Sequence, residues 1–542
     1  MTKKRRNSKT NLHMNCSSLN SFTSGGGFRF FTQFRQNFSV RALVFFVIPV
    51  FLLSIFPLHG ALARDDSSIK KSVVRIHVQK TIPSYKQPWI VNKPSSHFGS
   101  GCIISRSHIL TSAHVVSHAA FIHVSKFGDP NKYTADLLFI SHEADLAILT
   151  VKKREFFEDT KPVQIRRNLV HTQDEVAVYG FPIGGETLSV TRGIVSRVEH
   201  EIYSHSVYQL LMSQVDAPIN PGNSGGPVIV KGELVGIVIQ ALHRGRSENI
   251  GYMAPAPVID HFLDDIKDGS YDGFPVLGIV AQIAQNPDLR KKKLVSDQGG
   301  GVLVTYVVPG SPADDGILKG DILLTVDGVE IFSDGTVNFR GDERTNFSYL
   351  VDSRQIGEEI TVEVLRDGRK MEFEISLTKG GDALRLVNSN YTVPSYYILA
   401  GCVFSPLTFN YLREWGRRWL LEAPSELLSK LSHNVKRFPG EEVVILIRVL
   451  PSEINYGYHE TRNWIVSKVN GTKIENMKHL VKVVESKIAS EKFITFENPH
   501  GEQIVFSSGK AKQSGAPLLS TYQIPKDRSP DLVVPIFESI GL

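Results

Sequence analysis

Asp216-Ala217-Pro218-Ile219-Asn220-Pro221-Gly222-Asn223-Ser224-Gly225-Gly226-Pro227 sets one serine among glycines, between two runs that read as strands, Gln209–Val215 and Pro227–Val230. Glycine-rich backbone leaves room for a carbonyl to approach the hydroxyl and lets backbone N–H groups converge on the same point. A surface turn is the plain alternative for such a stretch. It stands until a base and an orienting acid are found elsewhere in the chain.

Outward from this loop, short apolar or alternating runs recur between turn residues: Val73–Val78, Gly101–Ile104, His108–Thr111, Phe121–Val124, Ala144–Val151, Glu175–Tyr179, Leu188–Ile194 and Leu234–Gln240. Many short strands and few convincing helices imply a barrel or sandwich, and residues 66–268 suffice for two small barrels. Two polar positions stand out among them. His114 follows the strand-like Ile109–Thr111, and Asp145 opens the run ending at Val151. Taken singly, each reads as an ordinary surface or core residue. Together with Ser224 they form the order His, Asp, Ser, with separations of 31 and 79 residues. A serine hydroxyl needs an imidazole to take its proton, and the imidazole needs a buried carboxylate to hold its tautomer.

Gly222-Asn223-Ser224-Gly225-Gly226 also fits the G-x-S-x-G elbow of α/β-hydrolases. That fold orders its triad Ser, Asp, His and follows the serine with a helix. Here the order is reversed, and a strand-like Pro227–Val230 follows, so the esterase reading fails.

Four blocks carry a family resemblance: Gly99-Ser100-Gly101, Leu110–Val116, Asp145–Leu149 and Asn220–Pro227. They resemble the HtrA/DegP serine proteases, and Tyr179–Gly185, Asn249–Tyr252 and Phe274–Ile279 are similar to the plant Deg (protease Do-like) branch. The resemblance covers about residues 70–520. It implies a mostly β chain: a chymotrypsin-like double β-barrel protease domain, then a PDZ domain, then a second, degenerate PDZ-like α+β domain. It also implies Ser224 as nucleophile, His114 as general base, Asp145 as its orienter, and an oxyanion hole from the N–H groups of Gly222 and Ser224. Pro218 departs from the alanine usual in the family at the floor of the specificity pocket. An uncharged pocket argues against trypsin-like cleavage and leaves a small or medium aliphatic residue as the implied preference.

Between residues 275 and 378, Val302–Val304, Asp321–Gly328 and Ile360–Gly368 alternate like strands, and Phe347–Ser353 reads as a helix. Val307–Ala313 followed by Leu318–Asp321 resembles the PDZ domains of this family. Such modules add a peptide as an extra strand and hold its carboxylate with backbone N–H groups, here those of Leu277, Gly278 and Ile279. A domain kept only for packing is the alternative. From 390 to 511, Glu441–Leu450 and Asn463–Val469 read as strands, with a turn at Asn470-Gly471. Met477, Leu480, Val481 and Val484 mark one face of a helix over Asn476–Ile488. Tyr411–Leu431 reads as helical, and 512–542 as a C-terminal tail, mobile from about Gln523.

The 542 residues exceed what one core holds. Net charge is +6, but residues 1–64 hold nine basic residues and no acid. Setting those nine aside from the 61 leaves 52 basic residues against 55 acidic, a balance of −3, so no nucleic-acid partner is implied. Residues 1–41 read as a basic targeting segment, and 42–58 form an uncharged stretch of membrane-spanning or signal-peptide character. The combined reading is a mitochondrial, membrane-anchored protein, with the chloroplast as alternative. Cys16, Cys102 and Cys402 lack disulfide or metal spacing, so neither metal nor cofactor is expected. The resulting expectation is an ATP-independent serine endopeptidase acting on unfolded or damaged proteins, with C-terminal peptides at its PDZ domain. The family's trimers imply homo-oligomers. A catalytically silent chaperone or scaffold is the alternative.

Overall fold

The computed structural model describes residues 66–533 apart from 186, 243–249, 297–298, 381–383, 390 and 433–434. The segments 1–41 and 42–58 therefore lie outside the described residues. No helix among the described residues is long and apolar enough to cross a membrane.

Strands β1 (Val73–Lys80), β2 (Ser95–Ile103), β3 (Ile109–Thr111), β4 (Ala119–Lys126), β5 (Tyr133–Ser141) and β6 (Leu146–Val151) close into one barrel. A second barrel is closed by β7 (Glu175–Gly180), β8 (Ser189–Ile202), β9 (Gln209–Val215), β10 (Pro227–Val230), β11 (Glu233–Leu242) and β12 (Ile250–Pro255). The reason lies in the patterns. β1 alternates so that Val74, Ile76 and Val78 fill the first barrel with Ile103, Val124 and Leu149. β6 is apolar on both faces. Its Ala147 and Leu149 face that core, whereas Leu146 and Ile148 join the core centred on the second barrel, as do Cys102 and Leu110. Strands buried on both sides read as unbroken apolar runs. These four residues form an apolar seam between the barrels. Cys102 and Cys402 are buried, and burial pushes both thiols well above the ordinary range, so they serve as core residues.

Two strands were not legible in sequence. β5 is half exposed with no clean alternation, and β12 carries Gly251 and Pro255, residues that weaken a strand signal. β8 also runs eight residues past its expected end at Ile194, as a polar hairpin arm paired with β9.

The second domain is an antiparallel sheet in the order Ile279–Ile283, Val302–Val307, Ile322–Val326, Glu359–Arg366, Arg369–Ser376. The helix expected over Phe347–Ser353 spans only Tyr349–Asp352, and a second helix, Pro287–Lys292, follows the first strand. The third domain has two sheets. One orders Tyr397–Leu399, Cys402–Pro406, Val444–Val449 and Arg462–Ile465; the other is built on Phe493–Glu497 and Gln503–Ser507. Between them packs the helix Met477–Ser490, capped by Asn476, whose side chain accepts the His479 N–H at 2.8 Å. Met477, Leu480, Val481 and Val484 are all buried, the face given by their spacing. Tyr411–Leu431 is four short helical pieces, interrupted by Gly416 at φ +80° and by Pro424.

The C-terminal tail needs correction. Residues Ser508–Thr521 form a helix, the Ile398 N–H donates to Asp527 O at 2.7 Å, and Ile524, Ser529 and Leu532 are buried. Ala511, Leu518, Ile524 and Leu532 are too sparse among Ser, Pro and charged residues to produce a periodic signal. Leu480, fully buried at the centre of the third domain's core, tests this packing. Leu480→Ala is expected to cost about 2–5 kcal/mol, read as a lower urea midpoint. An unchanged midpoint would contradict the packing.

Candidate active site

The three polar residues singled out in the sequence sit at the seam. His114 lies in the one-turn helix Ala113–Val116 just after β3, Asp145 ends the turn before β6, and Ser224 precedes β10. Gly222 has φ +102°, and a Cβ there would stand 2.4 Å from Phe181 O, so only glycine fits. Gly225 has φ +79°, and its Cβ would meet Thr111 Oγ1 at 2.2 Å. The loop is held from several sides. Ser100 Oγ donates to Gly222 O (2.8 Å) and accepts the Phe181 N–H (2.8 Å), and Ile183 N–H donates to Pro221 O (2.8 Å). Asn223 N–H turns back to Asn220 O at 3.0 Å. Among the described residues, the Gly222 and Ser224 N–H groups have no acceptor in the chain.

Val238 O on β11 joins the two halves of the site. It accepts the Gly225 N–H at 2.8 Å and the Ser112 hydroxyl at 2.8 Å. The residue after Ser224 and the residue two before His114 thus share one acceptor. Ser224 is half-buried, and its carbonyl accepts the Ser100 N–H at 2.8 Å. No hydrogen bond joins its hydroxyl to the His114 ring; such bonds commonly tighten only when substrate is present.

Asp145 holds His114 at two points. Oδ1 accepts the His114 backbone N–H and Oδ2 accepts Nδ1–H, both at 2.7 Å. Asp145 is 3% exposed and His114 is 30% exposed on their side chains, so the carboxylate is sealed while the ring keeps an open edge. Burial pushes the Asp145 carboxyl up, but the His114 charge, His205 and the two hydrogen bonds outweigh it and hold the group below its ordinary value. Lys80 Nζ donates to His114 O at 2.6 Å; burial brings that amine down to about 8, against the pull of Asp145.

The other predicted positions lie apart from this centre. Pro218, six residues before Ser224, is half-buried, its carbonyl accepting from Thr191 Oγ1 at 2.9 Å. Leu277, Gly278 and Ile279 line a separate cavity of about 1050 Å³ with Phe347 and Val351 of the second domain. Gly278 has φ +83°, and among the described residues the Leu277 and Gly278 N–H groups have no acceptor. His200 and Tyr208 of the barrels and Val435 and Arg437 of the third domain complete that cavity, which no sequence pattern announced.

Known families match in the same order as the domains. A trypsin-like peptidase domain matches residues 99–237, and two PDZ domains match 275–377 and 387–531. Protease Do-like 4, mitochondrial, of Arabidopsis thaliana is 38% identical over 458 residues, covering 84% of each chain. Protease Do-like 2, chloroplastic, of the same plant is 36% identical over 479 residues, or 88% of this chain and 77% of that one. The chain belongs to the HtrA/DegP family of serine proteases with PDZ domains. Among solved structures, the HtrA-type protease AlgW with tripeptide is 26% identical, with a TM-score of 0.47 over 58% of this chain and 97% of that one.

Within this HtrA/DegP chain, the surroundings of Asp145 hold residues that sequence reasoning missed. His142 Nδ1 and His205 Nε2 are 2.9 Å apart, and Tyr391, from the segment between the PDZ domains, stacks on His142 at 3.5 Å. Only contacts spanning 63 to 249 residues bring them together, so no local motif marks them. Ser100 was visible within Gly99-Ser100-Gly101, but its double bond to the serine loop was not. Burial brings His142 down to about 3, helped by His205, and His205 down to about 4, helped by His114 and Arg413 but opposed by Asp145.

Both rings thus prefer to stay neutral when folded, while the unfolded chain takes up protons near the ordinary value of 6.5. Their contribution is intact above that value and is lost as pH falls from 6.5 toward 4. Tm is expected to fall over that interval, more steeply in the parent than in a His142→Gln/His205→Gln variant. Parallel Tm–pH curves would contradict these shifts.

Proposed function

We propose that this HtrA/DegP-family protein is a serine endopeptidase acting on unfolded or damaged proteins without ATP. The observation that carries the reading is the His114 imidazole, fixed twice by a sealed Asp145 beside a serine loop with two N–H groups that have no acceptor among the described residues. In the proposed reaction, His114 Nε2 removes the Ser224 proton as Oγ attacks the scissile carbonyl. The Gly222 and Ser224 N–H groups receive the developing oxyanion, and Asp145 stabilises the imidazolium without taking its proton. His114 then protonates the leaving amine, and water hydrolyses the acyl-enzyme through the same base. The absence of a P-loop in the sequence agrees with ATP independence.

The uncharged Pro218 favours a small or medium aliphatic residue on the acyl side of the cut. The Leu277–Ile279 loop is assigned to C-terminal carboxylates, its free N–H groups being the supporting feature. Homo-oligomers are part of the proposal by family membership. A mitochondrial destination is inferred from the basic N-terminal segment and from relatives named mitochondrial, with the chloroplast as the alternative.

A fluorophosphonate probe is expected to label the full chain at Ser224, with labelling lost in Ser224→Ala. Labelling absent under every peptide and oligomer condition would overturn the protease reading in favour of a silent scaffold. Asp145→Asn should fold normally yet lower kcat about 10⁴-fold through the wrong tautomer. Parent-like turnover in that variant would remove Asp145 from the triad. Peptides with Val or Ala before the cut should be cleaved faster than those with Lys or Arg, and the reverse order would overturn the role given to Pro218.

A further inference from the structure

The turn Ser141–Asp145 delivers the carboxylate that holds His114. Asp145 itself has φ +53°, an uncommon conformation for a residue other than glycine, which persists only when the surroundings enforce it. Three elements from outside the first barrel fasten this turn. Tyr271, on the linker leaving the barrels, has its hydroxyl 2.6 Å from Ser141 Oγ and donates to Glu143 Oε2 at 2.9 Å. The β8–β9 connection brings His205 against His142, and Ser206 Oγ donates to Glu143 O at 2.9 Å. Tyr391, on the linker entering the third domain, lies flat on His142, with 6° between the rings, and its hydroxyl donates to His205 O at 3.2 Å. Arg413 of the third domain adds bonds to His205 O and Ser204 O at 3.2 and 3.1 Å.

Packing alone would be served more cheaply by apolar side chains, because buried polar groups carry a desolvation cost. Directional bonds instead fix where the turn points. Those from Tyr271, Ser206 and His205 end on the five residues closing at Asp145. Those from Tyr391 and Arg413 end on the Ser204 and His205 carbonyls of the connection packed on them, and His205 stands 6.2 Å, ring to ring, from His114. We propose that Tyr271 and Tyr391 are positioning residues for the His114–Asp145 pair, acting through the turn Ser141–Asp145 and the His205 connection packed on it. The inference rests on the protease reading above. It assigns neither tyrosine a contact with substrate.

The test uses the full chain and a small fluorophosphonate that needs no PDZ docking, with the inactivation rate measured against pH. Loosening Asp145 weakens its hold on the imidazolium that forms in the reaction, which should lower the rate and displace the inflection of its pH profile. Tyr391→Ala is expected to lower the plateau rate about 10-fold or more, since displacements of ~1 Å can cost ~10²-fold. Tyr391→Phe keeps the stacked ring and should stay within about threefold of the parent. Tyr271→Phe removes one hydroxyl and should shift rate and inflection in the same direction as Tyr391→Ala. With a small ester substrate, the loss should fall on kcat with KM unchanged. A labelled parent whose Tyr391→Ala and Tyr271→Phe variants keep both rate and inflection would overturn this inference alone. Should Tyr391→Ala fail to fold, an unchanged Tyr271→Phe profile overturns it by itself. A parent that never labels overturns the protease reading, and this inference falls with it.

Discussion

The site depends on the seam between two barrels. His114 and Asp145 belong to the first barrel and Ser224 to the second, so their mutual placement is set by how Cys102, Leu110, Leu146 and Ile148 seat against the second core. Apolar contact is non-directional and would tolerate sliding. Register comes instead from polar ties across the seam, chiefly Ser100 Oγ to Gly222 O and Phe181 N, and Ser112 Oγ to Val238 O. These groups are buried, and each is satisfied by a partner from the other barrel. Displacement along the seam would leave several of them unpaired at once, at about 1–3 kcal/mol each. The same ties that register the barrels shape the serine loop.

Legibility in sequence followed the range of the interaction. The serine loop could be read because its constraints are local: Gly222 and Gly225 are required by positive φ and by backbone crowding that no side chain survives. The strand before His114 and the one after Asp145 could be read because β3 and β6 are buried on both faces. β5 and β12 could not, since one is half exposed and the other contains residues that usually end strands. The C-terminal segment looked like a tail because its anchors, Ile524, Ser529 and Leu532, are isolated points of burial. Their partners, such as Tyr396 and Ile398, lie more than a hundred residues earlier.

The third domain illustrates the same limit at larger scale. Its helix was visible from Met477, Leu480, Val481 and Val484, but its attachment to the protease barrels was not. Tyr85 and Trp89, in the β1–β2 connection, share a hydrophobic cluster with Tyr396, Phe409 and Leu412. Lys86 donates to Glu414 O at 3.2 Å and lies over the Trp415 ring. Arg385, on the linker, reaches back to Val207 O at 3.2 Å with its guanidinium over Tyr208, and Arg413 of the third domain bonds the Ser204 and His205 carbonyls. Apolar contact and cationic donors thus bind the third domain to two connections of the protease barrels, the second being the one that presents His205.

Charge decides why histidine suits that position. A cation near His114 opposes the imidazolium that the proposed reaction requires. At an effective dielectric of about 20, a unit charge at ~6 Å costs about 2–3 kcal/mol, enough to slow the reaction by one to two orders of magnitude. Lysine or arginine at 205 would impose that penalty, and an apolar residue could not bond to His142. A neutral imidazole supplies the bond without the charge, and burial, which lowers His205 to about 4, is what keeps it neutral. The Arg413 guanidinium is engaged by the Ser204 and His205 carbonyls. The desolvation that makes this polar junction costly is therefore also the condition under which it can stand beside His114.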